Sequence, residues 1–165
     1  MEINLLPILN YDGKKMVISE DVNITSSPND NFNFNSPVHF EGYALNIGGT
    51  IELKGKANVS LSVMCDRCVN YYDKNITYDI FESFKKEDNL STADEDEDIT
   101  PLEGSSIDLD NILYTGLILS LPSKSLCSEE CKGLCPVCGK NLNNETCTCS
   151  IDNTDPRFDI LDKLL

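Results

Sequence analysis

Alternation of apolar and polar side chains is the clearest pattern in the middle of this chain. From 51 to 65 the odd-numbered positions are apolar or small, and the even-numbered positions between them are polar. A period of two predicts a long strand with one buried face. A second alternating run covers 38–47 with a change of phase near Gly42, and Gly48 and Gly49 between the two runs predict a tight hairpin turn.

Further strands are predicted on both sides of this hairpin. A third strand is expected at 72–84, with one apolar face. That face would carry Tyr72, Ile76, Tyr78, Ile80 and Phe84. Apolar runs at 3–9 and 16–24 predict edge strands, and the Asn-rich run 26–36 predicts a loop. We therefore expect an α+β protein in which residues 1–86 form an antiparallel β-sheet region or a partly closed barrel.

The hydrophobic period changes from two to that of a helix in the second half of the chain. Apolar positions at helical spacing over 106–122 predict an amphipathic helix that covers the sheet as part of the same domain. These positions are Ile107, Leu109, Ile112, Leu113, Leu117 and Leu119. Ser106 or Asp108 would cap the first turn, and the proline at the end would stop the helix. A short final helix is predicted from Asp155 within a cysteine-rich segment, 123–165.

Charge separates one stretch from the rest. The chain of 165 residues has 28 Asp and Glu against 13 Lys and Arg. Seven of the acidic residues, and no basic one, lie in 87–98. We predict that 87–105 is an acidic linker, because it cannot bury enough apolar area to offset the entropy of ordering. The remaining surface shows no strong basic footprint for nucleic acid.

The cellular compartment decides how the cysteines should be interpreted. No run of 18 or more apolar residues is present, and the first fifteen residues lack the basic flank and cleavage site of a secretory signal. We therefore expect a cytoplasmic protein with no membrane partner. Cytosolic thiols are kept reduced, so closely spaced cysteines there are more often metal ligands or redox groups than disulfides.

The eight cysteines fall into four pairs. Two tetrahedral zinc sites need eight thiolates, so the number of cysteines fits two sites. The pairs are Cys65 with Cys68, Cys127 with Cys131, Cys135 with Cys138, and Cys147 with Cys149. The last two pairs can close a local site, in which Gly139 would permit a positive φ behind the thiolates. The first two pairs would then share a second Zn²⁺ that fastens the C-terminal segment to the sheet. In the competing grouping, Cys127, Cys131, Cys135 and Cys138 form one site.

A redox protein is the alternative to structural zinc. Cys65 and Cys68 have the spacing of dithiol oxidoreductases, and Arg67 between them could lower a thiol pKa. Such motifs open a helix, however, whereas this one ends a predicted strand. The single histidine, His39, lies in a predicted strand and is expected at the surface rather than in a site. Because no catalytic triad, phosphate-binding loop or dinucleotide motif is present, we expect a protein that is not an enzyme.

Several motifs together resemble one known family. They are VMCDRC at 63–68, LSLP at 119–122, CKGLCPVCGKNLN at 131–143, CTC at 147–149 and DPR at 155–157. These segments resemble the YceD family, bacterial and plastid proteins named for large ribosomal RNA subunit accumulation, in the form found in Gram-positive bacteria. The first fifty residues match only in pattern, and the acidic linker is not part of the resemblance.

The resemblance implies a non-enzymatic factor that supports large-subunit ribosomal RNA accumulation and ribosome assembly. It carries the family's cysteine positions over to all eight cysteines of this chain. The implied partners are the large-subunit precursor, ribosomal RNA, or a basic ribosomal or assembly protein, and no small-molecule substrate is expected. We expect a small contact patch for RNA or a partner at Arg67, Lys132 and Lys140, although lysines at such positions can also be simply solubilising.

Overall fold

The computed structural model of the protein describes residues 1–86 and 99–149, and these residues form two compact units. The first unit is built from the described parts of Met1–Val63 and Tyr72–Ser123. The second begins with Met64–Tyr71 and resumes at Lys124. The first unit contains the sheet and both described helices, and the second contains all eight cysteines.

Eight strands and two helices make up the regular structure of the described residues. The strands are β1 Glu2–Asn4, β2 Lys15–Val22, β3 Phe32–Phe34, β4 Val38–Ile47, β5 Thr50–Met64, β6 Tyr71–Lys86, β7 Ile99–Leu102 and β8 Ser106–Asp108. The helices are α1 Leu6–Leu9 and α2 Leu109–Ser120. The fold is thus α+β and mostly sheet.

The hairpin β4–β5 is the centre of the sheet and confirms the predicted turn. Ile47 pairs with Thr50, and Gly48 and Gly49 between them have φ of 59° and 91°. Positive φ at both central residues is what a two-residue hairpin loop requires. The odd-numbered side chains of β5 are buried, apart from the half-buried Gly55, as the alternation predicts.

The predicted change of phase in β4 is wrong, because Asn46 occupies an inward position. The β4–β5 register is continuous, and the side chain of Asn46 is only 2% exposed. Its Nδ2 donates to the carbonyls of Ile8 and Leu9 at 2.9 and 3.0 Å, and its Oδ1 accepts from the N–H of Gly49 at 2.9 Å. A buried amide is tolerated when its hydrogen bonds are made. A single polar residue that is buried and hydrogen-bonded therefore gave the sequence the pattern of a phase change that the strand does not have.

Two glycines in this hairpin make room for a buried aromatic ring. Gly42 faces Gly55 across β4 and β5, and the fully buried ring of Phe40 lies against both. A Cβ on Gly55 would lie 2.6 Å from that ring, closer than real contacts allow. The absence of side chains here is therefore a packing requirement.

The main sheet is mixed rather than purely antiparallel. Its strand order is β2-β4-β5-β6-β7, and β3 pairs with β5 off this path. Side-chain contacts from Asn58 to Thr77 and from Lys56 to Asp79 connect β5 and β6 as expected for opposite strand directions. β7, however, is parallel to β6. The pairing of the described strands is a linear path and does not confirm the partly closed barrel.

The N-terminal prediction is correct for one strand and wrong for the other. β2 pairs with β4 at the edge of the main sheet, as the run 16–24 predicts. Residues 3–9 instead divide into β1, which pairs with β8, and the short helix α1. Pro7 lies in the first turn of that helix, where its missing N–H costs nothing, whereas in a strand it would remove a ladder bond. Proline therefore outweighs the apolar run.

The predicted loop at 26–36 contains a short strand. Phe32–Phe34 pairs with Leu61–Val63 of β5, beyond Asn58 where the β4 pairing ends. The side chain of Phe32 is buried, and the Phe32 and Phe34 rings meet edge to face at 5.7 Å. Two aromatic residues in an Asn-rich run are thus enough to fill the remaining edge of β5.

Helix α2 packs on β6. It begins at Leu109 with Asp108 as N-cap, and Ser106–Asp108 before it is a strand rather than the predicted first turn. The buried residues are Leu109, Leu113 and Leu117. The Tyr78 hydroxyl donates to the carbonyl of Leu113 at 2.8 Å. The assignment of Leu119 to the buried face is wrong, since its side chain is 81% exposed.

The predicted acidic linker is partly ordered as a strand. Within 87–105, residues Ile99–Leu102 form β7, and Leu102 is buried in the core. Ile99 and Leu102, at the two ends of this short segment, supply the apolar burial that the acidic composition of 87–105 does not predict. Residues 87–98 and the predicted final helix from Asp155 lie outside the described residues.

Replacing Asn46 with alanine should lower the free energy of unfolding by about 2–3 kcal/mol, because it removes the partners of buried backbone groups. Urea denaturation would measure the loss. Asn33→Ala, at an exposed position of β3, is the matched control and should change stability by less than about 0.5 kcal/mol. Equal effects of the two substitutions would contradict the role assigned to Asn46.

Candidate metal centre

The eight cysteines form two groups of four, and each group could hold a metal ion. All are free thiols, and within each group the Sγ atoms lie within 4.8 Å of one another. The first tetrad is Cys65, Cys68, Cys127 and Cys131, and the second tetrad is Cys135, Cys138, Cys147 and Cys149. The grouping is the first of the two predicted, and the competing set that combines Cys127 with Cys138 is not formed.

The sulfur spacing fits tetrahedral coordination. In the first tetrad Sγ–Sγ distances are 3.9 Å from Cys65 to Cys131 and 3.7 Å from Cys68 to Cys127. In the second, Cys147 Sγ lies 3.4 and 3.5 Å from two of its neighbours. Four thiolates about 2.3 Å from one zinc ion would be separated by about 3.8 Å. Disulfide sulfurs would be separated by only about 2.05 Å.

Both tetrads are built on the same backbone turn, here called the knuckle, at 65–70 and 135–140. In each knuckle the fifth residue donates its N–H to the carbonyl of the first cysteine, at 2.9 Å in both. The first cysteine donates its own N–H to the carbonyl of the sixth residue, at 2.9 and 2.8 Å. The fifth residue has positive φ, 59° at Val69 and 72° at Gly139. The predicted conformation of Gly139 is therefore confirmed, and Val69 adopts it without the freedom of glycine.

The first knuckle is tied to the later chain by side-chain and backbone bonds. The N–H of Asp66 donates to the carbonyl of Ser125 at 2.8 Å, and the N–H of Ser125 donates back to the Asp66 carboxylate at 2.6 Å. This reciprocal pair lies next to both cysteine pairs of the first tetrad. It holds two segments together that are about sixty residues apart in the chain.

Arg67 has a positioning role that sequence reasoning did not predict. Its Nη1 donates to the carbonyls of Glu129 and Cys131 at 3.3 and 3.0 Å. Its own carbonyl accepts from the N–H of Leu134 at 3.1 Å. Gly133 has φ of 73°, and a Cβ there would lie 3.0 Å from that carbonyl. Arg67 thus orders the chain between the two tetrads.

Asn143 is a site residue that sequence reasoning missed. Its Nδ2 lies 3.3 Å from Cys131 Sγ and can donate to the thiolate, and its Oδ1 accepts from the N–H of Lys132 at 2.8 Å. The bond lowers the pKa of Cys131, and this is the largest contribution there. The only signal in the sequence is an Asn-rich loop between two cysteine pairs, which does not distinguish a ligand-supporting amide from an ordinary turn residue.

Backbone donors favour thiolates at one cysteine of each knuckle. Burial of Cys65 raises its pKa, but N–H groups, that of Cys127 first, outweigh this and lower the pKa to about 6. At Cys135 the N–H of Cys138 is the largest of the contributions that lower the pKa to about 6. The effect at Cys65 comes from surrounding backbone, including that of Arg67, and not from the Arg67 guanidinium.

Four of the other thiols, those of Cys68, Cys127, Cys147 and Cys149, have raised pKa values and resist ionisation when no cation is present. Hydrogen bonding with the neighbouring thiolate raises the pKa of Cys127 to about 12, with Cys131 as the main partner. Cys149 is raised to about 12 in the same way by Cys147. Four thiolates in such proximity repel one another, so a cation that binds them must displace protons. The arrangement is therefore suited to a divalent metal.

The predicted contact residues Lys132 and Lys140 are both exposed in the second unit. Lys140 Nζ lies 3.4 Å from the Glu145 carboxylate, a pair that is open to solvent on both sides. Exposed pairs of this kind stabilise little and can exchange partners. The lysines and Arg67 are all exposed, and Arg67 is also engaged by backbone carbonyls.

His39 lies far from this chemistry in the chain and has its own partners. Its Nδ1 contacts the Asp21 carboxylate at 2.7 Å and its Nε2 contacts Glu41 at 3.2 Å, on the solvent side of the first unit. The bond with Asp21, followed by that with Glu41, raises the pKa of His39. Histidine therefore contributes no ligand to either tetrad.

The fold and the site define the class as an α+β protein with two four-cysteine centres. Residues 53–165 match the family described as Large ribosomal RNA subunit accumulation protein YceD. The chain belongs to the YceD family.

The curated relatives match this chain over only part of its length and part of their own. Uncharacterized proteins from Mycobacterium bovis and from two strains of Mycobacterium tuberculosis are each 31% identical over 83 residues, which is 49% of this chain and 40% of the relative. The chain thus matches well under half the length of these relatives. No solved structure gave a significant match. Neither helix of the described residues is long and apolar enough to cross a membrane.

Exchanging the fifth residues of the two knuckles should have opposite effects. Val69→Gly relieves a strained backbone and should stabilise the metal-loaded protein by about 1 kcal/mol, whereas Gly139→Val should destabilise it by about 1–2 kcal/mol. Thermal unfolding with metal in excess would measure both. Val137→Gly, at an exposed valine of the second knuckle, is the control for loss of a side chain. A destabilised Val69→Gly protein would contradict the assigned strain.

Proposed function

We propose that this protein is a non-enzymatic factor that supports accumulation of large-subunit ribosomal RNA and assembly of the large ribosomal subunit. The observation that carries the proposal is the match of residues 53–165 to a family described by that accumulation. The protein acts in the cytoplasm of a bacterium, where its thiols stay reduced. Its two tetrads each hold one structural Zn²⁺.

The second unit supports the structural role of zinc, since its described residues have little else to hold them. The apolar core cluster of the described chain contains no residue from 64–71 or 124–149. Among the described residues of this unit, the fully or nearly buried hydrophobic side chains are those of Cys65, Cys68, Cys131 and Cys135. A segment whose described part has no apolar core depends on metal or disulfides for its order, and the thiols here are free.

The donor sets fit zinc and a structural rather than a catalytic site. Four thiolates at tetrahedral spacing suit Zn²⁺, which has no redox chemistry of its own. A catalytic zinc usually keeps three protein ligands and an open position, whereas each tetrad offers four. The bound metal would supply cross-linking of the chain, and the surrounding N–H groups and Asn143 would stabilise the thiolate charge.

The proposed partners are a large-subunit precursor particle and, within it, ribosomal RNA or a basic ribosomal or assembly protein. The acidic balance of the chain, with formal net charge −15, favours a basic protein for much of the contact. Lys132 and Lys140 are exposed cations of the second unit that could meet phosphate. Arg67 would support such a contact by ordering its backbone.

The alternative is a thiol–disulfide redox protein that uses Cys65 and Cys68. The pKa of Cys65, about 6, is the observation that favours it, because thiolate character promotes exchange. Against it, Cys65 is fully buried, and its thiolate character is equally what a zinc ligand needs.

Metal analysis separates the two functions. The purified protein should contain about two zinc ions per chain, because each tetrad supplies four thiolates to one tetrahedral ion. The thiols should resist alkylation until a chelator is added. Cys68→Ser and Cys138→Ser should each lose about one ion, and Thr148→Ser, between two ligands, should lose none. Absence of metal together with rapid alkylation and redox cycling of Cys68 would support the alternative.

Depletion of the protein should lower the ratio of large-subunit to small-subunit ribosomal RNA, because the large subunit would fail to assemble and its RNA would be degraded. Quantitative RNA analysis of depleted cells would measure this ratio. The native protein and Thr148→Ser should restore it, and Cys135→Ser with Cys138→Ser should not. An unchanged ratio in depleted cells would overturn the proposed function.

A further inference from the structure

The solvent side of the main sheet has an unusual composition in one half. This side, here called the outer face, carries the side chains of β2, β4, β5 and β6 that point away from the core. A solvent-facing side of an antiparallel sheet is normally polar. Half of it follows that rule, with the partners Asp21 and His39 on one row and Lys56 paired with Asp79 on another.

The other half carries a row of side chains across four strands that includes two exposed apolar residues, Val17 and Phe81. Val17 pairs with Tyr43, and Tyr43 pairs with Lys54 in the strand registers. Lys54 Nζ lies 4.8 Å from the centre of the Phe81 ring. Val17 and Phe81 are 76% and 61% exposed. Leaving an aromatic ring in water forgoes the free energy of burying it, which suggests that this row has a use other than folding.

Lysine side chains alternate with the two rings. Lys15 Nζ lies 3.8 Å from the centre of the Tyr43 ring, and Lys54 lies over Phe81. Lys54 Nζ also lies 2.5 Å from a carboxylate oxygen of Glu52. This half of the outer face therefore combines flat π surfaces with two ammonium groups, although the whole chain is acidic.

We propose that the row of Val17, Tyr43, Lys54 and Phe81, together with Lys15, binds single-stranded RNA. Bases stack on the rings of Tyr43 and Phe81, and the ammonium groups of Lys15 and Lys54 move from the rings to the phosphates. The proposal rests on the proposed function and names the part of the molecule that meets ribosomal RNA. It assigns base stacking to the sheet and leaves only phosphate contacts to the lysines of the second unit.

The spacing of the row favours a single strand over a duplex. Tyr43 and Phe81 are on β4 and β6, which are separated by β5, so their backbones are about 10 Å apart. Lys54 stands between them on β5, where the phosphate between two splayed bases would pass. A duplex keeps its base faces stacked internally and would leave the rings without partners. The contact therefore requires unpaired nucleotides.

A protein partner would use the same row differently. It would bury the apolar bulk of Val17 and Phe81, and leucine in place of an aromatic ring would preserve much of that contact. Base stacking depends on the ring itself. Leucine substitutions should therefore weaken binding of RNA but preserve much of the contact with a protein partner. They should also disturb the native fold little.

The experiment measures binding of the full metal-loaded chain to a fluorescent single-stranded RNA of mixed sequence, about twelve nucleotides long, which is within the range of such sites. The native protein should bind the single strand and not the same sequence as a duplex. Phe81→Leu and Tyr43→Leu should each weaken binding about fivefold or more. Lys15→Gln and Lys54→Gln should each lower the dependence of log K on log salt concentration by about 0.7.

Three controls make the test specific. Tyr71→Leu removes an exposed aromatic ring of the second unit and should leave affinity unchanged. Lys132→Gln with Lys140→Gln tests the phosphate contact of the second unit and should weaken binding less than either leucine substitution. Circular dichroism and thermal unfolding establish that each variant is folded.

Failure of the native protein to bind at micromolar concentration would overturn the proposal, as would equal binding of the duplex. Full affinity in both leucine variants, or loss only in the Lys132 and Lys140 variant, would overturn it as well. These results use purified components and do not depend on ribosome assembly. A normal RNA ratio in depleted cells would instead overturn the proposed function, whatever the binding result.

Discussion

The meeting of two distant cysteine pairs in the first tetrad is the constraint on which the second unit depends. Its described residues contribute nothing to the apolar core cluster, so their order must come from cross-links and hydrogen bonds. The Asp66–Ser125 pair and the Arg67 guanidinium act on the same two segments as the thiols. In the proposed metal-loaded protein, coordination and the surrounding polar contacts thus replace the hydrophobic effect as the source of order there.

The first unit is instead built around an apolar core, and the alternation of apolar and polar residues along its strands made much of its structure predictable. Strands β2, β4, β5 and β6 and the Gly48-Gly49 turn follow from period and turn chemistry alone. The errors have local physical causes. Asn46 is polar but forms hydrogen bonds in the interior. Pro7 favours the start of a helix over a strand. The apolar residues of β7, which pairs with β6, lie in an acidic stretch of the sequence that conceals them. The parallel β6–β7 pairing depends on how the chain returns to the sheet, which a periodic pattern does not encode.

The candidate site shows a similar division between what spacing reveals and what it conceals. Cysteine spacing predicted the four ligand pairs and the conformation of Gly139, and the observed tetrads are one of the two groupings that the spacing left open. The supporting groups were not predictable. Asn143 and the guanidinium of Arg67 act through three-dimensional proximity to Cys131, and residues of both types occur at many positions with no such role. The equivalence of the two knuckles appears only in their backbone hydrogen bonds, since one has valine where the other has glycine.

The sequence separation within each tetrad has a consequence for synthesis of the chain. A ribosome makes Cys127, Cys131, Cys135 and Cys138 before Cys147 and Cys149. For that interval four neighbouring thiols are available to capture a zinc ion in a set that the native structure does not contain. Cys65 and Cys68 are made long before, and the knuckle that carries them between β5 and β6 is closed by local backbone hydrogen bonds, so once formed it would present two preorganised sulfurs that compete for Cys127 and Cys131. The early knuckle would then act as a template that selects the correct partners while translation is still in progress.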